Sequence, residues 1–130
     1  MKFLCLIRAD TWMEKMREDD AAKHFDEYRE FTEDLRAGGH LVAANRLQPP
    51  DTATTIRVRN GKVSTTDGPY AETKEHLGGY YVIEARDLND AIRLASRIPG
   101  AQYGSVEVRP VAEDSQTVAA LGSVAPRPSP

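Results

Sequence analysis

Cysteine is nearly absent from this 130-residue chain, which contains a single one at position 5. One cysteine cannot form an internal disulfide, so the class of small secreted domains stapled by disulfides is excluded. Because Cys5 lies inside a short apolar run, it is predicted to be a small buried side chain and not a reactive thiol. The three histidines stand alone, with no partner at helical spacing and no CxxC motif, so no metal site is predicted.

Long hydrophobic runs and basic clusters are also missing. No stretch approaches the roughly 20 apolar residues of a membrane-spanning helix, and the apolar start is too short for the core of a signal peptide. The 17 basic residues are scattered among 20 acidic ones, and the net charge of −3 argues against nucleic acid as a partner. These absences predict a cytoplasmic protein that binds neither membranes nor nucleic acid.

Motifs for nucleotides and nucleophiles are missing as well. Gly78-Gly79 lacks the context of a dinucleotide-binding or phosphate-binding loop, and no GxSxG motif is present. The sequence therefore predicts no cofactor. Its 40% apolar and 28% charged residues are those of an ordinary globular domain.

What the chain does contain is a regular succession of strand and helix patterns. The elements predicted in the first half are a strand over 2–8, a helix over 20–37 and a strand over 40–47. Asp19 or Asp20 is predicted to cap the helix, and Gly38-Gly39 to end it. Pro49-Pro50 then breaks the chain.

A β-hairpin is predicted in the middle of the chain. Asn60-Gly61, a strong signal for a tight turn, joins strands over 54–59 and 62–66. Alternation predicts that the apolar side chains point inward or half-inward, namely those of Ile56, Val58 and Val63. The charged side chains are predicted to point to water, namely those of Arg57, Arg59 and Lys62.

The second half repeats the order of strand, helix and strand. The predicted elements are a strand over 80–85, a helix that begins after Asp87, and a strand over 105–111. Asp87 is predicted to cap the helix, with Asp90 three residues on as in a capping box, and Pro99-Gly100 to end it. The proline-rich end has no regular pattern, so 1–111 is predicted to be the folded domain and 112–130 a flexible tail.

The succession of elements predicts an α+β fold of the ferredoxin-like type with an inserted β-hairpin. Two helices can cover only one face of such a sheet. Yet the central strands carry apolar residues at consecutive positions, among them Phe3, Leu4, Tyr81 and Val82, which is typical of strands buried on both faces. We therefore predict a homodimer in which the second faces of two sheets pack together.

Several separate segments resemble, in order, the YCII-related family, and specifically the branch named for its DGPF tetrapeptide. The resemblance is carried by MKFLCLIRAD at the start, LQPPDTATTIRVRNGKV in the middle, TDGPYAETKEHLGGYYVIEARDLN after it, and SVEVRPV. Tyr70 stands where that branch usually has phenylalanine. The resemblance covers residues 1–111 and leaves out the tail.

The resemblance implies a ferredoxin-like, dimeric α+β barrel. It implies less about activity, because members are mostly uncharacterised, although one relative acts as a dehydrochlorinase. Members of the DGPF branch are often encoded beside extracytoplasmic-function sigma factors. The wider family pairs a histidine near the first helix with an aspartate near a Gly-Pro element; here Asp67 precedes Gly68-Pro69, and His24, His40 and His76 are the candidate histidines.

The segment between the hairpin and the next strand concentrates ionisable groups beside aromatic rings. Asp67 is either a turn residue or, together with His76, a catalytic acid/base pair. The predicted substrate contacts are Tyr70, Glu72, Lys74 and Tyr81. The alternatives are a solvated surface or a salt bridge between subunits for the charged residues, and an ordinary surface position for His76.

These residues indicate one of two functions. The first is binding of a small molecule in a cleft at the dimer interface, with cofactor-free acid/base chemistry of the lyase or isomerase kind. The second is a non-catalytic dimeric interaction or regulatory module linked to an extracytoplasmic-function sigma factor. A concave, partly apolar pocket with an aspartate and a histidine favours the first, and a filled cleft with paired charges favours the second.

Overall fold

The computed structural model describes residues 1–10, 16–71 and 74–122. Its strands are β1 (Lys2–Ala9), β2 (Leu41–Arg46), β3 (Thr54–Arg59), β4 (Lys62–Asp67), β5 (His76–Glu84) and β6 (Ser105–Pro110). Its helices are α1 (Glu18–Ala37), α2 (Leu88–Ala95) and α3 (Ser115–Leu121), with short 3-10 turns at Pro50–Thr52 and Pro99–Gln102. None of the helices in these ranges is long and apolar enough to cross a membrane.

Four strands form the main sheet in the order β2-β5-β1-β6, and all neighbouring strands are antiparallel. β1 lies in the interior of the sheet, where Cys5 is opposite Tyr81 on one side and Val108 on the other. α1 connects β1 to β2 and α2 connects β5 to β6, and both helices pack into one core. This arrangement confirms the predicted α+β, ferredoxin-like fold.

Helix α1 begins two residues earlier than the sequence predicts. Arg17 occupies the N-cap position without a side-chain hydrogen bond, so the prediction that Asp19 or Asp20 caps the helix is wrong. Both aspartates lie in the first turn instead, where negative charge interacts favourably with the helix dipole. The predicted end is confirmed, since the chain leaves the helix through Gly39, whose φ is 76°.

The core lies between α1 and α2 on one side and one face of the main sheet on the other. Phe3, Cys5 and Ile7 alternate along β1 and all point to this core, where Phe31 and Leu35 of α1 pack. Cys5 is fully buried, as predicted, and burial raises the pKa of its thiol to about 11. The thiol is therefore neutral in the folded protein at physiological pH.

The second face of the main sheet is less covered. Leu4 and Leu6 of β1 and Val82 of β5 point to it, because they alternate with the core residues, and each is only half-buried. Covering of this face by a second subunit stays a prediction.

The β3–β4 hairpin forms a separate two-stranded sheet. Asn60 and Gly61 have positive φ angles of 53° and 74°, as the predicted Asn-Gly turn requires. The prediction that Ile56, Val58 and Val63 point inward is wrong, since their side chains are 64%, 54% and 68% exposed. The hairpin has no buried face, since almost every residue on both sides of its two strands is exposed to solvent.

Strand β5 is longer than predicted, because it begins at His76 and not at Tyr80. A register shift between Ile7 and Arg8 in β1 accommodates the additional pairs, so that His76 lies opposite Ala9. The sequence assigned His76 to the loop before this strand. In the structure His76 is the first residue of β5, an interior strand of the main sheet.

Helix α2 begins at the predicted cap. The Asp87 carboxylate accepts a hydrogen bond from the Asp90 N–H at 2.8 Å, and the Asp90 carboxylate accepts one from the Arg86 N–H at 3.0 Å. The Arg93 guanidinium donates to Asp90 at 2.7 Å. The hydrogen bond from the Arg86 N–H, followed in size by the one from the Arg93 side chain, holds the pKa of the Asp90 carboxyl well below its usual range.

After β6 the chain forms the short helix α3, where the sequence predicts no regular structure. Asp114 caps it, because its carboxylate accepts hydrogen bonds from the Thr117 N–H at 3.0 Å and from the Thr117 hydroxyl at 2.7 Å. The residues of α3 are exposed except for the half-buried Thr117, so the helix contributes little to the core. The flexibility of the tail stays a prediction.

Candidate functional site

A cavity of about 260 Å³ opens on the helix-covered side of the main sheet. Its floor is the sheet, one wall is the first half of α1, and its rim is the segment 47–50 after β2. Asp10, Arg46 and His76 bring charged or titratable side chains to an otherwise largely apolar lining. A concave apolar site with a few polar groups is the usual form of a small-molecule pocket.

Glycine leaves part of the floor without a side chain. Gly79 of β5 is buried between Ile7 of β1 and Arg46 of β2, which are its partners in the sheet. A Cβ at this position would lie 2.9 Å from the Asn45 carbonyl oxygen, closer than such atoms approach in proteins. Gly79 therefore lets the strands keep their spacing beneath the cavity.

The α1 wall presents Phe25 and Tyr28, one turn apart on the same side of the helix. The Tyr28 hydroxyl accepts a hydrogen bond from the Gly100 N–H at 3.0 Å, which fixes the position of the ring. Burial raises the pKa of Tyr28 to about 12, although that hydrogen bond acts in the opposite direction. Tyr28 is therefore a neutral phenol at physiological pH and not a base.

Tyr81, a predicted substrate contact, lines the floor of the cavity. Its hydroxyl lies 2.8 Å from the Thr32 hydroxyl, which itself donates to the Tyr28 carbonyl oxygen at 2.7 Å. The two hydroxyls form a hydrogen bond in which either oxygen can be the donor. Burial raises the pKa of Tyr81 against the effect of this hydrogen bond, so its ring serves as an apolar surface.

His76 and Asp10 lie at the same end of the floor. His76 begins β5 opposite Ala9, the last residue of β1, and Asp10 is the next residue along the chain. Both line the cavity, and His76 is half-buried. An imidazole and a carboxylate at the end of an apolar cavity are groups that can move a proton to or from a bound ligand.

The other predicted catalytic residue, Asp67, lies elsewhere. It is the last residue of β4, opposite Thr54 in the separate hairpin sheet, and it is exposed. The structure therefore does not bring Asp67 into the cavity that His76 lines. Its catalytic role stays a prediction.

Three further predicted substrate contacts precede β5. Tyr70 is 85% exposed, and Lys74 is exposed as well. Neither belongs to the lining of the cavity. Glu72 lies outside the residues that the structure describes. The roles of these three side chains stay predictions.

The other two histidines lie outside the cavity lining. His24 is buried, with its ring edge-on to Tyr28 at a centroid distance of 4.9 Å, and burial lowers its pKa against the effect of Glu27. His40 places Nδ1 2.9 Å from the Glu84 carbonyl oxygen. Within the described ranges, no group of three or more His, Cys, Asp or Glu side chains is arranged to hold a metal ion.

The sequence analysis did not identify Asp10, Phe25 and Arg46 as residues of the site. Asp10 had a signal, since a polar residue directly after a buried central strand lies at an edge of the sheet. Phe25 belongs to the apolar periodicity of the predicted helix, which indicates a helix but not a cavity wall. Arg46 had no signal, because its place in the cavity depends on the register of β2 against β5.

Comparisons with known proteins identify a family, a relative and a similar solved structure. The sequence profile of the YCII-related domain matches residues 1–115. An uncharacterized protein of Rhizobium meliloti (strain 1021) is 42% identical over 76 residues, or 57% of this chain and 61% of that protein, so the chain spans less than two thirds of the length of this relative.

One similar solved structure is 5-chloro-2-hydroxyhydroquinone dehydrochlorinase from Burkholderia phenoliruptrix AC1100, in complex with 2,5-dihydroxybenzoquinone. The two chains are 15% identical, with a TM-score of 0.49, over 89% of this chain and 98% of the other. A likeness this distant indicates neither an activity nor a ligand for this chain.

Proposed function

This chain belongs to the YCII-related family, and we propose that it binds a small organic molecule in the cavity and transfers a proton on it without a cofactor. The observation that carries this proposal is the position of His76 and Asp10 at the same end of a partly apolar cavity. Sites for proton transfer commonly combine an apolar pocket with one acidic and one basic side chain.

His76 is the proposed base. Its imidazole removes a proton from a ligand carbon next to a carbonyl group, and the electron pair of that C–H bond moves onto the carbonyl oxygen. Return of the proton to another carbon completes an isomerisation, while departure of a leaving group with the electron pair completes an elimination. Asp10 stabilises the imidazolium that forms between these steps.

Asp10 takes the place that the sequence gave to Asp67. In the proposed homodimer, Asp67, Tyr70 and Lys74 would contact a substrate only if one copy's hairpin reached the cavity of the other. The exposed position of all three is compatible with that arrangement. The proposed core of the site, His76 with Asp10, does not depend on it.

The proposal is tested by the exchange of ligand C–H protons for deuterium. A library of small carbonyl compounds is screened for binding by ligand-observed NMR, and each bound compound is then incubated with protein in D₂O. We expect at least one compound to exchange a C–H proton, and His76→Gln to slow that exchange by about a hundredfold or more while binding persists.

His40→Gln provides the matched control, since it makes the same replacement outside the cavity lining. This variant should bind and exchange the ligand as the unchanged protein does. Absence of any bound compound would overturn the binding proposal. Exchange that is equally fast in the His76 variant would overturn the catalytic part.

A second function, protein–protein interaction, has one observation in its favour. The hairpin exposes the apolar side chains Ile56, Val58 and Val63, of which Val58 and Val63 are opposite each other across the turn. Apolar side chains that cluster on an exposed strand pair are a usual contact surface. In this role the protein would be a dimeric regulatory module, and a contact with an extracytoplasmic-function sigma factor would use this hairpin.

A further inference from the structure

Arg46 extends from the floor of the cavity towards α1. In the register of β2 against β5, Ala44 lies opposite Tyr81 and Arg46 opposite Gly79. Side chains two residues apart on a strand share a face, so Arg46 points to the same side of the sheet as Tyr81. The guanidinium carbon of Arg46 lies 5.3 Å from the centre of the Phe25 ring on α1.

The contact with Phe25 orients the guanidinium without neutralising it. Other arginines are paired with carboxylates, such as Arg93 with Asp90 at 2.7 Å and Arg97 with Asp34 at 2.8 Å. No carboxylate among the described residues lies within ion-pair distance of Arg46. The guanidinium group is planar, and its fork of N–H donors matches the two oxygens of a carboxylate.

The size and walls of the cavity restrict what the ligand can be. At about 260 Å³ the cavity is slightly smaller than most ligand pockets, which suits a molecule built on a single ring. Phe25, Tyr28 and Tyr81 contribute aromatic rings to the lining, and Gly79 adds no side chain to the floor. A flat ligand fits such a space because it can lie against these rings.

The charges of the cavity are distributed along its length. Arg46 lies opposite Gly79 of β5, which is three residues from His76. At the rise of a strand, the backbone at Gly79 is about 10 Å from the backbone at His76. Arg46 lies at the end away from His76, and its guanidinium attracts negative charge. A ligand with one anionic group is therefore directed with that group towards Arg46.

We propose that the cavity selects a small single-ring carboxylate, whose carboxylate group is bound by Arg46 and whose ring lies between Phe25 and the floor. This inference rests on the proposed function and adds the class of ligand and the residue that selects it. Bound in this direction, the ligand extends its far edge towards His76 and Asp10, where the proposed proton transfer occurs.

The test compares three probes of nearly equal shape, which are benzoate, benzamide and benzylamine. Their binding is measured by ligand-observed NMR titration at low ionic strength. We expect benzoate to bind about tenfold or more tightly than benzamide, because charge-assisted hydrogen bonds to a guanidinium are stronger than neutral ones, and benzylamine to bind more weakly than either. Added salt should reduce the preference for benzoate.

Two arginine variants make the comparison specific. Arg46→Gln should remove the preference for benzoate over benzamide, while Arg57→Gln, at an exposed position in β3, should leave it unchanged. Both sites are exposed, so both variants should keep the thermal unfolding midpoint of the unchanged protein. Phe25→Leu should weaken the preference without removing it, because the charge stays but the stacking contact is lost.

The outcomes separate this inference from the proposed function. Equal binding of benzoate and benzamide, or a preference that survives in Arg46→Gln, would overturn the inference while leaving a functional cavity. Failure of all three probes to bind would overturn it too. The binding part of the proposed function would fall only if the wider screen of carbonyl compounds also gave no ligand.

Discussion

Cys5 lies in the interior of the main sheet, where its side chain is fully buried. The thiolate is the form that attacks disulfide reagents, and burial raises the pKa of this thiol to about 11. At pH 8 roughly one thiol in a thousand would be ionised at such a pKa. We expect the folded protein to resist 5,5′-dithiobis(2-nitrobenzoic acid) at pH 8 for hours and to react promptly in urea.

The control for this labelling experiment is an exposed cysteine in the same chain. In a Cys5→Ala background, Ser64→Cys places a thiol on the exposed strand β4. This variant should react within minutes under native conditions. Prompt release of one equivalent of chromophore by the unchanged folded protein would show that Cys5 is accessible to the reagent and contradict its burial.

At the same scale, the sequence identified part of the candidate site. His76 and Tyr81 were predicted as site residues, and both line the cavity. They were found because they lie near each other in a segment rich in ionisable and aromatic groups. Asp10 and Arg46 lie on other strands, and only the pairing of β1 and β2 with β5 brings them to the same cavity. Local composition contains no information on such pairings.

Among the elements, α2 depends on its cap. The Asp87 carboxylate satisfies the Asp90 N–H at the start of a helix of eight residues, too short to be stable by itself. We expect Asp87→Ala to lower the free energy of unfolding by about 1 kcal/mol, as measured by urea denaturation monitored by circular dichroism. The loss should appear in the midpoint and not in the slope of the transition.

Asp87→Ser tests whether the cap itself causes the loss. A serine hydroxyl can accept the same hydrogen bond, so this variant should keep most of the stability that alanine loses. If serine and alanine destabilise the protein equally, the side chain of Asp87 acts through something other than the helix cap. If neither does so, the hydrogen bond to Asp90 contributes nothing measurable.

The type of most elements could be predicted from the sequence, and their placement could not. Periodicity and turn residues identified α1, α2 and the hairpin, because these signals are local. The exposed faces of β3 and β4 were not foreseen, since alternation shows that two faces differ but not what either face meets. The extra length of β5 depends on the register shift in β1, which is a property of the pair.

For the whole molecule, the order of elements was sufficient to predict the ferredoxin-like sheet, because few topologies satisfy two strand–helix–strand units and short connections. It was not sufficient to decide what covers the second face. Leu4, Leu6 and Val82 point to that face and are half-buried in the isolated chain. A face with these side chains gains hydrophobic stabilisation if another sheet packs on it.

We therefore expect a homodimer in solution. Light scattering at micromolar concentration should give twice the 14.4 kDa mass of one chain. Leu6→Lys should shift the protein to monomer, because a lysine ammonium in the centre of two packed sheets would lose its hydration without a partner. In the monomer the same lysine reaches water, so circular dichroism should remain that of the folded protein.

Ile56→Lys distinguishes the sheet face from the other apolar surface. Ile56 is 64% exposed on the hairpin, so a lysine there should leave a dimer formed through the sheet faces intact. Loss of the dimer in Ile56→Lys but not in Leu6→Lys would assign the interface to the hairpin instead. A monomer in the unchanged protein would contradict both surfaces, and it would mean that the half-buried residues of the main sheet are stable in contact with water.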